Sequence, residues 1–172
     1  QIIAKVKREV ENFGRIASFD AALRLRLAAP YQAMQRYRES ALIMEGMLNE
    51  LPADRIVESA SVNLVQCWSA IECWANAIEA AKIFLEKFPQ SDSVPLILYM
   101  QGIAQQRSGR YSEAIALFDA IAAKHYSSEY APRASFMKAF SLLQAERHKD
   151  AVAELEQFEG RYPRHDLAQD AL

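Results

Sequence analysis

The sequence has little of what builds loops, staples or phosphate cradles: five Gly, six Pro, two Cys and three His in 172 residues. So few Gly and Pro exclude collagen-like and linker-rich chains. No apolar run approaches the roughly 20 residues of a bilayer span, and the mean hydropathy is −0.14, so the chain reads as soluble. Apolar residues make up 51%, enough for a sizeable core in a chain of this length. Cys67 and Cys73, six residues apart in helical sequence, lean to opposite faces and cannot form a mutual disulfide. With no base in their local sequence they read as small hydrophobes rather than nucleophiles.

Chemistry is equally sparse. His125, His148 and His165 lie 23 and 17 residues apart, and neither a His-Glu-x-x-His nor a Cys-x-x-Cys spacing occurs, so no metal site, cofactor or catalytic residue is expected. His148 reads as a packing or partly exposed histidine. Gly102 and Gly109 stand alone and form no phosphate loop. Glu154, Glu156 and Glu159 read as a solvated helix face.

The net charge of −2 offers no basic field for nucleic acid. It conceals an asymmetry: residues 1–38 carry eight bases and three acids, and the remainder 12 bases and 19 acids. The basic segment lacks the interleaved aromatics of a single-strand binder, so it reads as a solvated face and a nucleic-acid partner is not expected.

What is present is a repeat of 37 residues. Leu51-Pro52, Phe88-Pro89, His125-Tyr126 and Tyr162-Pro163 stand at that interval. Four further columns keep step: Tyr37, Trp74, Tyr111, His148; Ser40, Ala77, Ala114, Ala151; Met44, Ala81, Phe118, Leu155; and Met47, Phe84, Ile121, Phe158. Within a copy the apolar steps are three and four, the mark of helices rather than strands. Pro95 and Pro132 suit a first helical turn, Gly109 a helix end, and Pro52, Pro89 and Pro163 stop the second helix of their copies.

The periodicity predicts an all-α array of helix pairs, with a half-unit over 1–18 and repeats over about 19–52, 56–89, 95–126 and 132–163. The helices fall near 2–13, 19–34, 38–50, 56–71, 75–87, 95–107, 111–124, 132–145 and 148–161, and a further helix begins at 166 and runs to 172. Both ends fall inside the array, so the chain reads as a piece of a longer protein. A two-helix unit cannot bury its apolar face alone; stacking neighbours share a core and leave a concave face.

Residues 95–126 resemble the tetratricopeptide repeat, on Gly102, Ala104, Gly109, Tyr111, Glu113-Ala114, Phe118 and Ile121. The fourth copy repeats the pattern with Ala139, His148, Asp150-Ala151, Leu155, Phe158 and Pro163. The second carries Val65, Trp74, Ala77, Phe84 and Pro89, and the first Tyr37, Ser40, Met44, Met47 and Pro52. Gln101 and Gln105 depart from the apolar preference of their positions. The extended turn Phe88-Pro89-Gln90-Ser91-Asp92-Ser93-Val94-Pro95 looks like the subgroup found in bacterial cell-envelope proteins.

The resemblance implies a right-handed α-α superhelix, no enzymatic activity, and a protein or peptide partner in the concave groove. It places the chain in the periplasm or at the outer membrane, with the cytoplasm as the alternative that two unpaired Cys favour. The groove-facing positions it implies are Val62, Asn63, Gln66 and Ser69 in the second copy, Tyr99, Ile103 and Gln106 in the third, and Arg133, Phe136, Phe140 and Leu143 in the fourth. Tyr99 and Phe136 read equally well as core between helices. A structural spacer that self-associates, and an accessory region whose activity lies in missing flanks, are the competing functional readings.

Overall fold

A computed structural model describes residues 20–163 and 165–168. Among them are eight α-helices and no strand. We number them α1 (20–33, the part described), α2 (Tyr37–Glu50), α3 (Arg55–Ala70), α4 (Trp74–Lys87), α5 (Val94–Arg107), α6 (Tyr111–Lys124), α7 (Tyr130–Gln144) and α8 (His148–Arg161). A 3-10 turn covers Asp166–Ala168, the described start of the helix expected over 166–172, whose remainder lies outside the described residues. The expected helix near 2–13 lies outside the described residues.

From α2 on, each helix packs on the next, α5 additionally touches α3 and α7, and α1 meets α2 through the Ser40 Oγ bond to the Ala28 carbonyl and the Arg24–Glu50 ion pair. The even-numbered helices make no comparably close approach to one another. The odd-numbered helices therefore form the crowded inner layer of a curved two-layer stack, with α2, α4, α6 and α8 outside, as an all-α superhelix requires.

The columns read from the sequence are where the layers meet. Ser40, Ala77, Ala114 and Ala151 are all fully buried, as are Met47, Phe84, Ile121 and Phe158. At the Met44, Ala81, Phe118 column the volume is matched across to the facing inner helix. Gly102 lies so close to Phe118 that an added Cβ would stand 2.5 Å from its ring. One unit earlier the same two positions hold Val65 and Ala81, both fully buried in one cluster. Large against absent and medium against small fill the same space.

The turns repeat as strictly as the core. Every inner-to-outer connection has three residues, 34–36, 71–73, 108–110 and 145–147. Its middle residue is left-handed: Gln35, Glu72 and Glu146 have φ of 58°, 58° and 59°, and Gly109 has φ of 75°. In each, the following N–H reaches five residues back, as from Cys73 to the Trp68 carbonyl (2.9 Å) and from Arg110 to the Gln105 carbonyl (2.9 Å). This is the Schellman helix end, in which glycine is unstrained and other residues give up about 1 kcal/mol. Cys73 thus belongs to a turn and not to continuous helix, while Cys67 is buried in α3 and accepts a hydrogen bond from Gln32 Nε2 (3.1 Å).

The outer-to-inner connections share a different device. Asp54, Ser91, Ser128 and His165, again 37 apart, each accept the N–H two residues on, at 2.8, 3.0, 3.0 and 3.2 Å. Their lengths vary: four residues at 51–54, six at 88–93 and five at 125–129. Pro95 and Pro132 fall in the first turns of α5 and α7, where a missing N–H breaks no helical bond.

One surface expectation is corrected. Glu154 is not solvated but only 7% exposed, whereas Glu156 and Glu159 are exposed. Lys138 Nζ lies 2.7 Å from Glu154 Oε2 and 2.7 Å from Asp119 Oδ1, and Ser135 Oγ donates to Glu154 Oε1 at 2.8 Å. This network ties α6, α7 and α8 together. Burial would lower the Lys138 pKa, but the hydrogen bonds to Asp119 and Glu154 outweigh it and hold the ammonium above the ordinary lysine value.

Candidate inner-face binding site

Because α3, α5 and α7 have the same place in successive units, their exposed positions form columns. Val62, Tyr99 and Phe136 make one; Gln66, Ile103 and Phe140 a second; Ser69, Gln106 and Leu143 a third; Asn63, Met100 and Met137 a fourth. The backbone holds these columns on the inner layer, while the side chains along each change from small or polar to aromatic or large apolar.

Tyr99 and Phe136 are both core and surface. The Tyr99 ring packs against Phe118 (centroids 6.1 Å apart) and Tyr130 (5.7 Å), and Phe136 meets Phe158 edge-on at 5.9 Å. Each nevertheless remains half-buried, with one flank in contact with the core and the other lining a cleft. Burial pushes the Tyr99 hydroxyl pKa up, with Arg133 pulling partly against it and Tyr130 adding to it. Tyr130 is also raised, chiefly by burial and then by the Glu129 charge. Phe140 and Leu143 are 46% and 39% exposed, and Arg133 is exposed as well.

Gln106 stands apart from the other positions. It is 6% exposed, and its Nε2 donates to Ser141 Oγ at 3.0 Å, so its amide is used in holding α5 to α7 and only its edge reaches the surface. In the second unit Val62 and Asn63 are half-buried and Gln66 is exposed. Ile103 lies half-buried between the two regions.

Two clefts flank Met137. One, of about 380 Å³, lies between Tyr99, Arg133, Phe136 and the 165–167 segment. The other, of about 350 Å³, is bounded by Gln106, Arg107, Tyr111, Phe140 and Gln144. A third, of about 250 Å³ on α3, is lined by Arg55, Glu58, Ser59, Val62, Asn63 and Ser93. It is the polar counterpart of the first, since Ser59, Val62, Asn63 and Ser93 stand 74 residues before Arg133, Phe136, Met137 and Leu167. Met137 and Arg107 were not among the residues expected in the groove. The signal for Met137 lay in Asn63, whose column two units later is that methionine.

Among the described residues no cluster of three His, Cys, Asp or Glu could hold a metal ion. Nor is any described helix long and apolar enough to cross a membrane. His148 is exposed at the first position of α8.

The fold and its inner clefts define an all-α helical-repeat protein, a superhelix of stacked helix pairs. Residues 97–127, which cover most of α5 and α6, match the family model of the tetratricopeptide repeat. Two crystal structures of nearly identical TPR-like repeats from a Podosopora anserina protein described as a kinesin light chain share the architecture. One superimposes with a TM-score of 0.65 at 16% identity over 86% of this chain and 77% of that one. The other gives 0.64 at 18% identity over 84% and 77%. No curated protein matches the chain. Repeats of this type generally mediate protein–protein contacts and are generally non-catalytic.

Proposed function

We propose that this chain is a non-catalytic interaction module that holds a peptide or a helix of a partner protein against α5 and α7. The observation that carries the reading is the exposure of Phe140 and Leu143 beside two clefts that share Met137. Large apolar side chains left open beside a concavity are the usual anchors of an interface, because binding energy concentrates in a few desolvated aromatics. The extended Phe88–Pro95 turn supports a scaffold or assembly role in the bacterial cell envelope.

The test is capture of partners by the intact chain and by Tyr99→Ala, Phe136→Ala and Phe140→Ala variants. Phe140 supports no described aromatic pair, so its removal leaves folding intact and reports binding alone. Normal folding with a loss of at least about tenfold in affinity is expected; unchanged binding by all three variants would sink the assignment.

A further inference from the structure

The two layers of the molecule carry opposite charge. Helices α3, α5 and α7 contain four basic residues, Arg55, Arg107, Arg133 and Lys138, against one acid, Glu58. Helices α2, α4, α6 and α8 contain six basic residues against eleven acids. Among these seven helices the inner layer is therefore basic and the outer one acidic.

The inner bases are not equivalent. Lys138 is committed to Asp119 and Glu154. Arg107 and Arg133 are exposed and make no ion pair among the described residues. Each stands at one of the two clefts that flank Met137. On the same helices the single carboxylate, Glu58, accepts the hydroxyl of Ser91. Asp166 borders the first cleft and Glu129 precedes α7, while the second cleft has no carboxylate in its lining and Glu146 follows α7 just beyond it. By contrast, the cleft on the outer layer, about 210 Å³ between α2 and α4, is lined by Glu45 and Glu79, the latter paired with Lys82 at 3.7 Å, and has no base in its own lining.

We infer that the occupant of the α5–α7 face is an acidic segment of a partner protein that presents two large apolar side chains, one for each cleft, with carboxylates beside them for Arg107 and Arg133. The inference deepens the interaction-module reading and rests on it. The two clefts are centred about one and a half turns apart on α7, about 7–8 Å. That separation suits apolar residues at i and i+4 of a helix, or at i and i+2 of an extended strand. An arginine beside an apolar seat offers a carboxylate a charge-assisted, forked hydrogen bond while the apolar neighbour excludes water. The acidic outer layer repels the same segment, so charge selects the face as well as the ligand.

Three fluorescein-labelled 14-residue peptides test this, each with Leu and Trp four residues apart on an Ala background, flanked by Glu, Gln or Lys. Fluorescence anisotropy with the whole chain reads their affinities. The Glu peptide is expected to bind about tenfold or more tighter than the Lys peptide at low salt, with the gap closing as salt screens the charges. Arg107→Glu and Arg133→Glu each weaken the Glu peptide by about fivefold or more and strengthen the Lys peptide. Phe140→Ala weakens every peptide that binds.

If the Gln or Lys peptide binds at least as tightly, and that binding is lost in Phe140→Ala, the groove stands and the acidic partner is overturned. If the Glu peptide binds best but ignores both arginine reversals and Phe140→Ala, its site is elsewhere and the inference fails. Binding of none of the three overturns the groove and the inference together.

Discussion

The inner faces of α3 and α7 are the same surface built twice. Val62, Asn63 and Gln66 occupy the backbone positions that Phe136, Met137 and Phe140 occupy two units later, and Ser59 stands where Arg133 does. On α3 the result is a small polar cleft, and beside α7 a pair of larger ones, the first mostly apolar with Arg133 at it and the second of mixed lining with Arg107 of α5 at it. Beneath both faces Ala77 and Ala151, and Phe84 and Phe158, remain fully buried at their shared positions. The buried scaffold and the inner face are thus divided by helix face, and the second differs between the units where the first does not.

Exchanging residues between units is the direct way to break that division. The largest effect is expected when a scaffold pair is mixed. Gly102→Val puts the side chain of the Val65 position against Phe118, where even a Cβ would be 2.5 Å from the ring. A loss of about 3 kcal/mol or outright misfolding is expected. Gly102→Val with Phe118→Ala, which reproduces the Val65 and Ala81 combination, should recover much of that loss in urea unfolding. No recovery would mean that the two positions do not share one volume.

Next comes the buried network. Lys138→Met strips Glu154 of its cation, and because Lys138 keeps partial access to water a loss of about 1–2 kcal/mol is expected. The pH dependence has a definite sign. The Lys138 pKa is raised in the fold, so its contribution is complete below the unfolded lysine value of about 10.4 and is lost as pH rises through the folded value. Thermal unfolding of the native chain above about pH 10.4 should therefore fall more steeply than that of Lys138→Met; parallel curves would show that the network carries no titrating stability.

A recognition exchange should move binding and leave folding alone. Phe140→Gln gives α7 the residue of the Gln66 position; partner affinity is expected to fall about tenfold, near 1.4 kcal/mol, with stability unchanged to within about 0.5 kcal/mol. A Tm shift larger than that would place Phe140 in the scaffold after all. The smallest effect lies in the turns. Glu72→Gly or Glu146→Gly relieves a left-handed residue and should gain a few tenths to about 1 kcal/mol, whereas Gly109→Ala should lose about 1.

The period, the helix pairs and the buried columns were legible because each unit imposes the same spacing on small and large residues. The inner-face columns were legible for the same reason, since helices stacked in register repeat their outward positions as well as their buried ones. The split character of Tyr99 and Phe136 was not decidable, because a helix with neighbours on two sides places one ring against both core and cleft. Glu154 was misread from its own helix, where Glu156 and Glu159 surround it; its partners Ser135 and Lys138 belong to α7 and arrive only through folding. The left-handed positions at 35, 72 and 146 carry Gln and Glu, so only Gly109 announced the column. The column of turn acceptors at Asp54, Ser91, Ser128 and His165 was hidden in the same way, because Asp, Ser and His share an acceptor atom and little else.

The equal three-residue connections and the unequal outer-to-inner ones divide the chain into fixed links and adjustable links. A Schellman end leaves no room for an extra residue, so the pairing within a unit is locked. The rise and rotation from one unit to the next are set instead where Asp54, Ser91 or Ser128 accepts one or two N–H groups and the linker runs to four, six or five residues. Lengthening such a linker would re-aim the Met137 clefts relative to the α3 cleft while leaving every residue that lines them in place. The pitch of the superhelix, and on the proposed reading the span of a partner that it could hold at once, is therefore encoded in the short stretches between outer and inner helices, apart from the residues of the inner face.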